Sequence, residues 1–329
     1  MTQTTVCYVA GKSGGHLIPA LTLAQQARFN NKIIFFSTHT ALDHTIMSNY
    51  SWVDYYKPLV LDNFPRKNIF GYPRFIAQFF MALYTSLYTL IQHRPEKIVS
   101  MGGYISIPVC IAGFLLRIPI ELYELNVVPG AANKLISVWA KKIYICFPET
   151  RQYLRAQKCY QTEYPLRFNH EQRISREQAC TQLGLDMNKK IILVLGGSQG
   201  SRTLNELIKH YAPQGVGSSI ILHQTGERDV ASLHDYYQQQ AVNAHVFAFK
   251  ADLDICYSAA DYIIARAGAG TLFEIKFFEK KALIIPLEVA TTGHQVDNAY
   301  AMQTLYPQFF KTARQSNNTF NELVSFLNT

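Results

Sequence analysis

Short apolar runs of strand length recur along the chain, and segments with helical spacing of apolar residues separate them. The runs are Val6–Ala10, Lys32–Ser37, Lys97–Met101, Pro119–Tyr123, Lys142–Cys146, Lys190–Leu195, Ser219–His223, Ala244–Phe249, Tyr262–Ala265 and Leu283–Pro286. Continuous apolar runs of this length are typical of buried strands in a parallel sheet. Because strands and helices alternate, the pattern predicts an α/β protein with doubly wound sheets.

Two of these strands end in glycine-rich turns that lead into helices. Gly11-Lys12-Ser13-Gly14-Gly15-His16 precedes the helical pattern Leu17–Arg28, and Gly196–Gly200 precedes a helix opened by Ser201. Backbone N–H groups at such a turn favour phosphate. Neither turn has the Rossmann or P-loop spacing, and either one alone is also explained as an ordinary tight turn that needs glycine. Two such turns in one chain predict two Rossmann-like domains that face each other across a cleft.

The composition is that of a globular protein. Hydrophobic residues make up 48% and charged residues 16% of the 329 residues, which suits two cores. The six cysteines form no C-x-x-C pair, so neither a zinc site nor a disulfide framework is predicted. The N-terminus has no signal-peptide pattern, and the longest strictly apolar run, Ile105–Leu116, is too short to span a bilayer. We therefore expect a cytoplasmic protein without a transmembrane segment.

The formal net charge of +8 calls for an acidic partner. Between Asn63 and Pro95 the chain has four basic residues, eight aromatic residues and no acid. The helical segment Arg74–Ile91 has an apolar arc too wide for one buried stripe, which favours contact with an anionic membrane surface. A helix buried on both sides is the alternative. Nucleic acid is not expected, because no RNA- or DNA-binding pattern accompanies the aromatics. The predicted membrane residues are Arg66, Lys67, Arg74, Phe75, Phe79 and Phe80.

Several motifs occur together in a characteristic order. They are the first glycine turn, Met101-Gly102-Gly103-Tyr104, Tyr123-Glu124-Leu125-Asn126, Asn133-Lys134, Gly196–Arg202 and Arg266–Thr271 followed by Glu274. In this combination the whole chain resembles glycosyltransferase family 28. The resemblance includes the peptidoglycan enzyme that transfers N-acetylglucosamine (GlcNAc) from UDP-GlcNAc to undecaprenyl-diphosphate-linked muramoyl-pentapeptide, lipid I. The sequence departs from the family pattern at Lys12-Ser13, Tyr123, Leu125 and Lys250.

The resemblance implies an inverting GT-B enzyme that needs no metal or redox cofactor and lies peripherally on the cytoplasmic face of the plasma membrane. Its implied partners are UDP-GlcNAc, the undecaprenyl-diphosphate lipid acceptor, an anionic membrane surface and other cell-wall synthesis proteins. The alternative hypotheses are a GT-B transferase with another lipid or polysaccharide acceptor, and a non-catalytic relative that binds nucleotide sugars.

The resemblance also implies roles for individual residues. His16 is the candidate general base, and Glu124 is the second candidate. The alternative roles are packing or phosphate contact for His16, and a helix cap or an ion pair with Lys134 for Glu124. Glu274 is expected to hold the donor ribose or, alternatively, to be a plain first-turn acid. The acceptor and diphosphate residues are Gly102, Gly103, Tyr104, Asn133 and Lys134. The donor residues are Ser13, Gly14, Gly15, Asn126, Arg167, Ser198, Gln199, Lys250, Ala269, Gly270, Thr271, Leu272, Phe273, Glu274 and Gln295.

The domain boundaries follow from the same motifs. We expect residues 1–163 to form the acceptor and membrane-binding domain and residues 164–312 the UDP-sugar-binding domain. Residues 313–329 should contain a helix that returns to the first domain.

Overall fold

The computed structural model describes residues 3–11, 13–65, 69–197, 199–215, 218–250, 252–288 and 294–328. The chain divides into two units, residues 1–167 and residues 168–329. Each unit is built on one fully parallel sheet with helical crossovers, which confirms the predicted doubly wound α/β architecture. The observed division lies four residues after the predicted boundary, so Arg167 belongs to the first unit.

The first unit contains a seven-stranded sheet with the order β3-β2-β1-β4-β5-β6-β7. Its elements are β1 (Thr4–Val9), α1 (Gly14–Ala27), β2 (Asn31–Thr38), α2 (Ala41–Met47), β3 (Tyr55–Leu59), α3 (Tyr72–His93), β4 (Lys97–Ser100), α4 (Ser106–Leu115), β5 (Ile120–Glu124), α5 (Ala131–Trp139), β6 (Lys142–Ile145) and β7 (Cys159–Gln161). Strand residues such as Cys7, Ile34 and Leu122 form one buried cluster with residues of α3, α4 and α5.

Helix α3 has one face in this core and one face in solvent. Phe75 and Phe79 pack against the buried cluster, which corrects the prediction that both face a membrane. Phe80 is 62% exposed, and Tyr84 and Tyr88 continue its stripe along the helix. By length and composition α3 is long and apolar enough to cross a membrane. It is nevertheless the crossover helix between β3 and β4, with only part of its surface uncovered. The predicted membrane residues Arg66 and Lys67 lie outside the described residues.

The second unit contains a six-stranded sheet with the order β10-β9-β8-β11-β12-β13. Its elements are α6 (Arg176–Leu183), β8 (Lys190–Leu195), α7 (Arg202–Tyr211), β9 (Ser219–Gln224), α8 (Val230–Gln239), β10 (Ala244–Phe247), α9 (Asp254–Ala259), β11 (Tyr262–Ala265), α10 (Ala269–Phe278), β12 (Lys281–Ile284), α11 (His294–Leu305), β13 (Phe310–Thr312) and α12 (Thr319–Leu327). In both sheets the strand order reverses direction beside the first strand of the unit, which is where open α/β sheets bind ligands.

The last helix, α12, packs in the second unit. Leu323 is fully buried in the cluster that covers β8 and β11, and the ring of Phe326 meets Tyr262 edge to face at 5.3 Å. The expectation that this helix returns to the first domain is therefore wrong. Its apolar side chains complete the core of its own sheet instead.

Replacement of Leu323 by Ala tests this assignment. We expect it to destabilise the second unit by about 2–5 kcal/mol, because a fully buried leucine leaves a cavity. Leu305→Ala, at a position that is 40% exposed at the end of α11, is the matched control. Hydrogen exchange should accelerate in β8 and β11 for the first variant only. Unchanged protection in those strands would mean that α12 is not part of this core.

Candidate active site

Eleven predicted site residues lie in three strand-to-helix loops, or in the strand and helix ends beside them, at one edge of the first sheet. The loops follow β1, β4 and β5, which are neighbours in the sheet. Because neighbouring parallel strands end at the same edge, the fold brings residues 13–16, 102–104 and 124–134 together. They are Ser13, Gly14, Gly15, His16, Gly102, Gly103, Tyr104, Glu124, Asn126, Asn133 and Lys134. Lys12, in the first of these loops, lies outside the described residues.

Glu124 is a buried carboxylate, only 1% exposed. Its Oε1 atom accepts hydrogen bonds from the backbone N–H of Asn126 at 2.9 Å and from the Asn126 side chain at 3.2 Å, and its Oε2 atom accepts one from Nδ2 of Asn133 at 2.6 Å. Burial raises the pKa of Glu124, and these hydrogen bonds, with one from the Gly130 backbone, oppose the rise. Its partners are therefore amides, while the ammonium of Lys134 lies over the Tyr153 ring at 5.7 Å. The carboxylate holds the loop between β5 and α5 in place.

The turn after β4 lies near the predicted base His16 and the predicted acceptor residue Asn133. Gly102 and Gly103 have φ angles of 80° and 76°, which residues other than glycine rarely adopt. A β-carbon on Gly102 would lie 1.5 Å from Oδ1 of Asn133, and one on Gly103 would lie 3.6 Å from Nδ1 of His16. The turn is thus in contact with the side chain of Asn133 and close to that of His16. Oδ1 of Asn133 is buried and has no hydrogen-bond partner among the described residues.

His16 lies in the first turn of α1, which begins at Gly14. Its backbone N–H donates to the carbonyl of Ser13 at 3.2 Å, and Ser13 is the N-cap residue without a side-chain capping bond. No acidic residue occupies this first turn. The positive end of the helix dipole is therefore available to an anionic group beside the half-buried imidazole.

The second unit has a closely packed glycine turn after β8. Gly197 and Gly200 have φ angles of 87° and 73°, and a β-carbon on Gly196 would lie 2.7 Å from the amide nitrogen of Ser201. Ser201 caps α7, since its Oγ accepts a hydrogen bond from the N–H of Leu204 at 3.4 Å. Gln199 is exposed on this turn, and the predicted donor residue Ser198 lies outside the described residues. The turn has the geometry of an anion site at a helix N-terminus.

A second helix N-terminus, that of α10, follows β11 with Gly268 as its N-cap residue. Ala269, Gly270 and Thr271 form its first turn, and the side chains of Leu272 and Phe273 are buried, so only their backbone can face a ligand.

Glu274 lies beyond the first turn, because the helix begins three residues earlier than predicted. This position weakens its interpretation as a plain first-turn acid. Its Oε2 accepts a hydrogen bond from the hydroxyl of the fully buried Tyr257 at 2.8 Å, which fixes the carboxylate.

The other predicted donor residues are divided between the two units. The backbone N–H of Lys250, in the loop after β10, donates to Oε1 of Gln224 at 3.4 Å. Oε1 of Gln295, in the first turn of α11, accepts from the N–H of Leu287 at 3.0 Å, so both residues belong to the second unit. Asn126 and Arg167, in contrast, belong to the first unit. Each unit therefore holds its own part of the predicted donor set.

Arg266 is a residue that our site prediction missed. It is 6% exposed, its Nε donates to Oγ of Ser201 at 2.8 Å, and its Nη1 donates to the carbonyl of Ile285 at 2.8 Å. Burial lowers its pKa to about 10. The guanidinium joins the glycine turn after β8 to the loop after β12. A charged residue directly after an apolar strand was the available signal, and the same signal had identified Glu124.

Among the described residues, no group of three or more His, Cys, Asp or Glu side chains is arranged to hold a metal ion.

Comparison with known proteins gives two family matches. Residues 6–145 match the glycosyltransferase family 28 N-terminal domain, and residues 191–307 match the family 28 C-terminal domain. Each matched range contains most of one observed sheet, with β7 and β13 lying outside the matches.

Similar proteins are known from several bacteria. The chain is 31% identical over 300 residues to the UDP-N-acetylglucosamine--N-acetylmuramyl-(pentapeptide) pyrophosphoryl-undecaprenol N-acetylglucosamine transferase of Thermodesulfovibrio yellowstonii, covering 89% of this chain and 81% of that protein. The transferase of the same name from Protochlamydia amoebophila is 31% identical, with coverage of 88% and 78%. The crystal structure of Acinetobacter baumannii MurG superposes with a TM-score of 0.75 and 26% identity, covering 99% of this chain and 91% of that chain.

The geometry around Gly102 can be tested by one substitution and its control. Gly102→Ala should lower the free energy of unfolding by more than about 2 kcal/mol, because the new methyl group overlaps Asn133 and the positive φ adds strain. Gly130→Ala should be nearly neutral, since no atom lies within 4 Å of its β-carbon position. Denaturant unfolding of the two variants makes the comparison. Equal stabilities would show that the contact with Asn133 is not formed.

Proposed function

The chain belongs to glycosyltransferase family 28, and from this premise we propose that it transfers GlcNAc from UDP-GlcNAc to lipid I, which gives lipid II. The observation that carries the proposal is the presence, in one chain, of both family 28 domains with polar loops at the ligand-binding edge of each sheet. The names of the similar transferases support this donor and this acceptor.

The second unit is the proposed donor domain. The N-termini of α7 and α10 follow the neighbouring strands β8 and β11, so both dipoles point at the same edge of the sheet. Two such N-termini would stabilise the negative charge that develops on departing UDP. Glu274, held by Tyr257, would accept hydrogen bonds from the donor ribose, because a carboxylate accepts two at once.

His16 is the proposed general base, and Glu124 is a positioning residue. Both oxygens of Glu124 already accept hydrogen bonds and the side chain is sealed from solvent, so it has no free position for an acceptor hydroxyl. The imidazole of His16 is half-buried beside the Gly102-Gly103 turn, where an incoming group has access. Removal of the hydroxyl proton by His16 would accompany attack on the anomeric carbon and inversion there.

Peripheral membrane association is the second part of the proposal. Residues 1–167 contain 17 Lys and Arg but only 8 Asp and Glu, whereas residues 168–329 contain 14 and 15. The excess positive charge is therefore confined to the unit that exposes the stripe Phe80, Tyr84 and Tyr88 on α3. Apolar side chains on a positively charged domain suit a surface that dips into anionic headgroups.

A transfer assay tests the function and the base together. With UDP-GlcNAc and lipid I, we expect the wild-type protein to form lipid II and His16→Ala to lower the rate by about 10²–10⁴-fold. Glu124→Gln should retain turnover within about tenfold, because Oδ1 of Asn133 has no partner within the described part of the chain and can accept from the new amide after the Asn133 side chain rotates. Calorimetry with UDP-GlcNAc should show nearly unchanged donor affinity in both variants.

The other outcomes of this assay are equally informative. Loss of turnover in Glu124→Gln with retention in His16→Ala would make Glu124 the base. A parallel loss of donor affinity in His16→Ala would make His16 a phosphate contact. Donor binding with no transfer to lipid I would indicate another acceptor or a non-catalytic protein.

The membrane surface is tested by exposed aromatic residues. The combined Phe80→Ser, Tyr84→Ser and Tyr88→Ser variant should bind anionic liposomes at least tenfold more weakly, because each aromatic that enters lipid contributes about 1.5–3 kcal/mol. A control with Phe29, Met187 and Phe249 changed to Ser removes exposed apolar residues elsewhere and should bind like the wild type. Equal liposome binding by both triple variants would place the membrane surface away from α3.

A further inference from the structure

One turn of the second unit contacts both of the loops that we assign to the donor. This hub turn consists of Gln224, which is the last residue of β9, and the next two residues, Thr225 and Gly226. The carbonyl of Gln224 accepts from the N–H of Gly196 at 3.3 Å, and its side-chain Nε2 donates to the carbonyl of Gly197 at 3.0 Å. The hub turn is thereby bonded to the glycine turn proposed for the diphosphate.

Backbone packing between the two turns is as close as glycine allows. A β-carbon on Gly200 would lie 2.0 Å from the carbonyl oxygen of Thr225, and one on Gly226 would lie 2.6 Å from the carbonyl oxygen of Gln199. Both glycines also have positive φ angles, 73° and 83°. A shift of one turn therefore cannot leave the other in place.

The hub turn is also bonded to residues 247–250, which comprise the last residue of β10 and the three residues after it. This stretch ends at Lys250, the predicted donor residue that the family resemblance puts next to the uracil site. The N–H groups of Thr225 and Gly226 donate to the carbonyls of Phe247 and Ala248, both at 3.0 Å. The N–H of Lys250 donates to Oε1 of Gln224 at 3.4 Å. The two ends of one buried amide thus bind the two loops.

A buried polar network is hydrogen-bonded to the hub turn. Nδ2 of Asn205 donates to the carbonyl of Thr225 at 3.0 Å and to Asp229 at 2.8 Å, so Oδ1 of Asn205 must be the acceptor facing Nε2 of His223 at 3.2 Å. His223 therefore carries its proton on Nε2 and accepts at Nδ1 from the hydroxyl of Tyr237, 2.9 Å away. Burial lowers the pKa of His223 to about 3, which keeps the imidazole neutral.

From these contacts we propose that Gln224 is a positioning residue that couples the nucleobase end of the donor site to its diphosphate end. The inference rests on the proposed donor, UDP-GlcNAc. Gln224 is 3% exposed, so its buried side chain would act through the two loops rather than by contact with the ligand. Occupation of residues 247–250 by a nucleobase orders the hub turn, and through Gln224 it orders the glycine turn before the phosphates arrive. The coupling is reciprocal, since each half of the ligand favours the same loop arrangement.

Uridine, which has the base and ribose but no phosphate, is the probe for this coupling. In the wild-type protein, saturating uridine should slow hydrogen exchange in residues 247–250 and also in residues 196–204. In Gln224→Met, which keeps the side-chain length but not the hydrogen bonds, uridine should protect the first region only. Gln224→Glu should behave likewise, because it keeps an acceptor for Lys250 but offers Gly197 no donor.

Steady-state kinetics and calorimetry give a second readout. Gln224→Met should weaken UDP binding about tenfold and uridine binding less than threefold, with a matching rise in KM for UDP-GlcNAc and little change in kcat. Gln303→Met is the matched control, since its amide also accepts a backbone N–H, that of Thr312, but far along the sheet from these loops. It should leave all of these quantities unchanged.

The possible failures are distinguishable. A wild-type protein that binds neither UDP nor uridine overturns the proposed donor and the coupling with it. A wild-type protein that binds both, but whose glycine turn is not protected by uridine, overturns the coupling alone. The same conclusion follows if both Gln224 variants transmit protection as the wild type does, or if UDP and uridine lose affinity equally.

Discussion

Close approach of the backbone to polar groups at the carboxyl edge of each sheet is the constraint on which both candidate sites depend. In the first unit Gly102 lies against the Asn133 amide, and in the second Gly200 lies against the carbonyl of Thr225. A single methyl group at either position would separate the loops that carry the polar groups. Glycine is required there for its small size as well as for its positive φ.

In both units a buried polar group is hydrogen-bonded to an asparagine side chain that contacts a glycine-containing turn. The carboxylate of Glu124 holds Asn133 under the turn after β4, and His223 holds Asn205 under the turn that faces Gly200. Burying such groups costs free energy unless their hydrogen bonds are made, so each network has one favourable arrangement. Arg266 adds a buried positive charge between two loops of the second unit, where a diphosphate would offset the cost of its burial.

The two units divide the physical tasks of the proposed reaction. The first unit carries the excess positive charge, the exposed aromatic stripe of α3 and the proposed base His16, all of which suit a lipid-linked acceptor. The second unit is close to neutral and offers two helix N-termini on neighbouring strands, which suit a nucleotide diphosphate. Electrostatic attraction to a membrane therefore acts on one unit only.

The sequence by itself determined the two parallel sheets, because strands buried on both faces must be continuously apolar and central strands such as β1 and β8 show that pattern. It failed to predict β3, β7 and β13, which are all edge strands. An edge strand pairs on one side only, so it can be short and contain polar residues or proline, as β3 does at Pro58. The glycine turns and Glu124 were also predictable, because charged residues and glycines at the ends of apolar strands stand out locally.

Only the tertiary structure decided which face of α3 is exposed, where α12 packs and what Glu124 binds. Helical spacing placed Phe75, Phe79 and Phe80 on one apolar arc, but packing against the buried cluster of the first unit partly buries the first two and leaves Phe80 in solvent. The contacts of Gln224 could not be predicted from the sequence either, since its two partners, Gly197 and Lys250, lie 27 and 26 residues away in the chain. Spacing along a chain records local periodicity, whereas these contacts depend on which loops the parallel strands bring to one edge.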